Sequence, residues 1–149
     1  MDSADTMNLP TRAAAALMAA TFFVHVFVGG PETNAPIRGS DLAEITRATA
    51  LVVWHMVSWM IAVIAAALFW LSRHPNRPLE ITLAALQLGM AVLFLWVTVT
   101  WFGALLALPQ WTVFLIAPAL TRWGQGAYAN PATGVRSPGP GSRRRPRKC

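Results

Sequence analysis

ATALVVWHMVSWMIAVIAAALFWL, residues 48–71, runs for 24 residues without a charged side chain. As a helix it reaches roughly 36 Å, enough to cross a hydrocarbon core of about 30 Å with some tilt. Three further apolar runs accompany it, at about 11–28, 79–102 and 104–123. The expectation is an all-α, four-helix transmembrane bundle over residues 1–124.

The composition agrees. The chain has 149 residues, 55% hydrophobic and 12% charged, against about 25% charged in soluble domains. The formal charge of +6 is unevenly placed, with Arg143, Arg144, Arg145, Arg147 and Lys148 all near the C-terminus. A folded basic domain with interleaved aromatics is missing, so nucleic acid is not the expected partner. Residues 125–149, rich in Gly, Pro, Ser and Arg, read as a disordered basic tail. Such a tail gains about 1 kcal/mol per basic residue near anionic lipid. Cys149, the single cysteine, has no intrachain partner and no prenylation box around it.

The first run lacks a basic n-region and a small-residue cleavage site, so it reads as an uncleaved span rather than a signal peptide. The stretch GGPETNAPIRGSDLAEITR, residues 29–47, is the longest internal polar segment. Gly29, Gly30, Pro31 and Pro36 should interrupt regular helix. Ser40 or Asp41 is placed to cap a helix that continues into the second span. In the fourth run, Pro109 suits a helix start and Pro118 a kink.

With four alternating spans, Arg12, Arg73, Arg77, Arg122 and the tail fall on one side of the membrane. The positive-inside rule then puts both termini in the cytoplasm, and the location expected is a bacterial inner membrane. Trp101, Trp111 and Trp123 lie near span ends, where amphipathic rings favour the interface.

An ionisable side chain inside a span is costly and marks a candidate site. His25 and His55 are two such residues. Counted from the cytoplasmic ends of their spans, they lie at similar heights, roughly 20 and 24 Å. Each belongs to a stripe of small or polar residues at helical spacing: Ala14, Met18, Thr21, His25 and His55, Ser58, Ala62, Ala66. Ala84, Gln87, Ala91 and Thr98 form a third. Small faces permit close helix approach in lipid, so the three stripes are expected to meet inside the bundle.

Two inward imidazoles have several uses. They can ligate haem, bind a metal ion with Glu32 or Asp41, hydrogen-bond a quinone, or relay protons. The alternative is that each bonds a neighbouring helix and binds no cofactor. The 29–47 segment, carrying Asn34 and Arg38, can fold as a lid over this site. Ser58 and Gln87 complete the expected polar interior.

No P-loop, H-E-x-x-H, G-x-S-x-G or paired-cysteine motif occurs, so hydrolase and nucleotide chemistry have no support, and the balance is against an enzyme. The function expected is a binding or redox-accessory module. The alternatives are a structural or assembly subunit, working with a membrane-protein partner or as a homo-oligomer, and a small oligomeric transporter.

FVHVFVGGPETNAPIRGSDL (23–42), VVWHMVSW (52–59) and LPQWTVFL (108–115) together resemble a group of small bacterial four-helix integral membrane proteins with no assigned activity. The likeness covers most of residues 15–120 and implies fold and location alone.

Overall fold

A computed structural model describes residues 8–129, with side chains through residue 126. Helix α1 covers Leu9–Phe23 and continues as a wide π turn, Val24–Val28. A second wide turn, Gly30–Asn34, leads into the single-turn α2, Ala35–Arg38. Helix α3 covers Glu44–Leu71, and α4 covers Arg77–Val97 with a third wide turn at Thr98–Phe102. Helix α5 covers Trp111–Ala129. No strand occurs among the described residues.

Three of these helical segments are long and apolar enough to cross a membrane: Leu9–Val28, Glu44–Leu71 and Arg77–Phe102, of 20, 28 and 26 residues. The chain is therefore read as a membrane protein.

Local chemistry sets the helix ends. The Asn8 side chain accepts from the Thr11 amide at 3.2 Å and caps α1. Asn76 does the same for α4, accepting from Leu79 at 3.0 Å. Pro10 and Pro78 sit in the first turns, where a missing N–H costs nothing. α4 and its wide turn stop at Gly103, whose φ of 63° is left-handed, a region that glycine enters without strain.

The interrupting residues act differently from expectation. Gly29, Gly30, Pro31 and Pro36 do not open the chain into a loop. Pro31 and Pro36 occupy first-turn positions of their own short segments, so the chain turns while staying helical. Neither Ser40 nor Asp41 caps α3; its N-cap is Ala43, without a side-chain bond. The Ser40 hydroxyl instead donates to the Ile37 carbonyl at 2.7 Å, and the Ser40 backbone carbonyl accepts from Arg47 Nη1 at 3.2 Å. The fourth run becomes regular helix only at Trp111, and α5 continues past Gly124 to Ala129. Trp111 Nε1 donates to the Leu105 carbonyl at 2.9 Å and braces the turn before it. The tail from residue 130 and Cys149 lie outside the described residues.

α1 packs against α3 and α5, and α5 against α4, whereas the consecutive helices α3 and α4 scarcely touch. Thr11, Ala14, Ala15 and Met18 of α1 are buried, as are Phe114, Ala117, Thr121 and Gln125 of α5. Both sets recur at helical spacing. Alanines at the contact let backbones approach, which matters in lipid because burial of apolar surface drives little association there. Phe94 and Phe114 stack at 5.8 Å between α4 and α5, a contact of about 0.5–1.5 kcal/mol.

The four long helices meet tightly where α1 and α4 begin and α3 and α5 end. Gly124 lies so close to α1 that a side-chain carbon there would overlap Asn8 Oδ1 and Thr11 Oγ1. Gln125 Nε2 donates to the Leu71 carbonyl at 3.3 Å. Arg122 reaches the buried Glu80 at 3.3 Å, and Arg77 reaches it at 3.7 Å.

Candidate functional site

The opposite end is built from the wide turns after α1 and the first half of α3. The Val24–Val28 turn carries His25, and its ring stacks on Trp54 of α3, centroids 4.1 Å apart and planes 18° apart. Gly29 closes on the same indole: a side-chain carbon there would come within 3.0 Å of Trp54 Cη2. The glycine thus admits Trp54 to this position. His25 is half-buried, and its Nε2 is buried with no hydrogen-bond partner among the described residues.

His55 follows Trp54 and so points about 100° away around the helix. It is exposed and lines a groove of about 380 Å³ together with Asn34, Ser58, Phe22, Val26, Trp54, Trp59 and Ala62. Asn34 ends the Gly30–Asn34 turn, and its Oδ1 is buried without a partner among the described residues. Ser58 is satisfied within its own helix, donating to the Trp54 carbonyl at 3.0 Å. The groove is therefore an apolar, aromatic slot with an imidazole and a carboxamide on its walls.

The expected site residues divide into three groups. Asn34, His55 and Ser58 come together in the groove, and His25 stands behind it against Trp54. Glu32, Arg38 and Asp41 are exposed. No group of three or more His, Cys, Asp and Glu residues forms a metal-type cluster among the described residues. Gln87 belongs elsewhere, fully buried in α4, with Nε2 donating to the Leu83 carbonyl at 3.0 Å and Oε1 unpartnered. On α3 the buried stripe is Ser58, Ile61, Ile64, Leu68 and Leu71, leaving His55 and Ala66 exposed. On α4, Gln87 and Ala91 are buried, as is Thr98 at the start of the wide turn that follows.

No family model, curated protein or solved structure matches this chain.

Three residues of the site carried little signal in the sequence. Trp54 and Trp59 read there as ordinary apolar members of a span. Gly29 read as a helix breaker, whereas its role is to make room for an indole. The adjacency of Trp54 to His55 was the one available hint, since it places a flat ring beside a polar one.

Proposed function

We propose that this chain is a four-span protein of the bacterial inner membrane, with both termini in the cytoplasm, acting as a binding or redox-accessory module. Its ligand is a lipid-soluble ring compound of the quinone type. The observation that carries this reading is the groove with His55 and Asn34 set among Trp54, Trp59 and Phe22. Aromatic walls fit a flat ring. An imidazole and an amide are the polar groups that orient a carbonyl or hydroxyl substituent. Asn34 Oδ1 is a buried acceptor without a partner among the described residues, which the hydroxyl of the reduced, quinol form would satisfy and a quinone carbonyl would not.

Haem or a metal ion fits less well. His25 stacks on Trp54 while His55 opens onto the groove, and no group of three or more His, Cys, Asp and Glu residues comes together among the described residues. The cytoplasmic assignment rests on Arg12, Arg73, Arg77 and Arg122 sharing one end, while the other end holds Arg38 and Arg47 against Glu32, Asp41 and Glu44. α5 supplies the fourth span: its apolar part before Arg122, residues 111–121, is about 16 Å of helix, and the apolar residues 104–110 ahead of it extend the crossing.

The test is equilibrium binding of a short-chain benzoquinone to the full chain in nanodiscs. Saturable binding weakened about tenfold or more in each of His55→Ala and Trp59→Ala, with unchanged melting, is expected for two contacts of about 1.4 kcal/mol or more each. Partition that does not saturate, or that both variants leave intact, overturns the reading in favour of a structural or assembly subunit.

A further inference from the structure

α3 and α4 leave a common turn and then part, and the space between them is an apolar cleft of about 580 Å³. Its walls include Met60 of α3 and Ile81, Ala85, Gly89 and Leu93 of α4. A side-chain carbon placed on Gly89 would meet no atom within 4 Å, so this wall borders free space. From Ile81 to Leu93 the cleft follows α4 for about 18 Å, close to half of a hydrocarbon core about 30 Å thick. It has the depth of one leaflet.

The Ile81 end of the cleft lies about one helical turn from the α3–α4 turn, and that turn is basic and structured. The Arg73 guanidinium lies 4.3 Å from the Phe69 ring centroid. His74 stacks on Trp70 at 4.8 Å. Arg77 and Arg122 share the single carboxylate of Glu80, and their side chains remain 60% and 61% exposed. Among the described residues, Arg12, Arg73, Arg77 and Arg122 stand at this end against Glu80 alone. The turn joins two membrane-length helices, Glu44–Leu71 and Arg77–Phe102, so this excess positive charge lies where such helices leave the hydrocarbon core.

We infer that this flank binds one anionic phospholipid of the adjoining leaflet, with an acyl chain in the α3–α4 cleft and the phosphate on the Arg73–Arg77 turn. The charge selects an anionic headgroup, and the length of the cleft matches a chain that ends at the bilayer midplane. The site is on a different flank from the histidine groove and uses none of its residues.

The experiment is native mass spectrometry of the full chain released from nanodiscs of phosphatidylcholine containing a minority of phosphatidylglycerol. Retained phosphatidylglycerol, preferred over phosphatidylcholine by about tenfold, is expected for the wild type. Gly89→Leu, which fills the cleft from its open wall, should abolish retention while melting in lipid-free detergent stays unchanged. Arg73→Gln with Arg77→Gln should remove the preference for phosphatidylglycerol. Equal retention of the two lipids overturns the inference. So does wild-type retention in Gly89→Leu, because the attraction is then diffuse. A dimer that Gly89→Leu dissociates also overturns it, since the cleft then takes a second copy.

Discussion

The two ends of this helical bundle are constructed on opposite principles. Where α1 and α4 begin, the helices interlock: Gly124 presses on Asn8 and Thr11, Gln125 bonds Leu71, and Arg122 pairs with Glu80. Where α1 and α4 end, both relax into wide turns, at Val24–Val28 and Thr98–Phe102. There His25, Asn34 and Thr98 keep buried polar atoms without partners among the described residues, and a groove opens beside His55. π turns in a helix often mark functional sites, and binding regions are drawn from the less stable parts of a fold. The contrast is one of packing: Asn8, Thr11 and Arg12 at the interlocked end also keep buried polar atoms without partners among the described residues, but there the helices close over them, whereas at the other end a groove opens beside them.

Breaking the interlocked end should have the largest effect. Gly124→Ala forces a methyl group into Asn8 and Thr11. Overpacking and a displaced helix cap together cost about 2–4 kcal/mol. A denaturant titration in mixed micelles should show this loss, whereas Gly126→Ala, with open space around it, should melt like the wild type.

Glu80→Gln comes next. It removes the ion pair that ties α4 to α5, but both arginines stay solvated, so a loss of about 1 kcal/mol is expected in the same titration. Screening adds a second sign: high salt should narrow the gap between wild type and variant.

At the relaxed end, Gly29→Ala should change stability by less than about 1 kcal/mol, because the facing atom is the edge of an indole that must give by a few tenths of an ångström. Its mark should appear in near-ultraviolet circular dichroism, as the Trp54 ring shifts on His25. Gly30→Ala, which meets nothing, should leave the spectrum unchanged.

Gln87→Leu should have the smallest effect and the opposite sign. It deletes a fully buried amide with an unpartnered oxygen, and an apolar replacement of similar size is neutral or stabilising, by about 1 kcal/mol at most. A clear loss would mean that Gln87 has a partner, such as a buried water, that holds α4 in place.

The membrane-length helices were legible in the sequence because length and lack of charge are enough to announce them. The buried stripe of α4 was legible too, since Gln87, Ala91 and Thr98 are small or polar amid larger apolar neighbours. The inward face of α3 was not. That helix is apolar on every side, and lipid contact demands no different chemistry from core contact. The choice that buries Ile61, Ile64 and Leu68 and leaves His55 at a groove is made by packing. The His25–Trp54 stack and the Glu80–Arg122 pair join residues far apart in the chain, and neither partner carries a mark that names the other. The wide turns were hidden because Gly29, Gly30 and Pro31 signal a break in α-helix without specifying what replaces it.

Hydrogen exchange of the nanodisc-embedded chain, with and without a short-chain benzoquinone, tests the division of labour between the two ends most directly. The account predicts that ligand slows exchange in residues 22–36 and 52–62. Amides around Asn8–Thr11, Leu71 and Thr121–Gln125 should be slow from the start and unaffected. Uniform protection, or protection confined to the interlocked end, would contradict it.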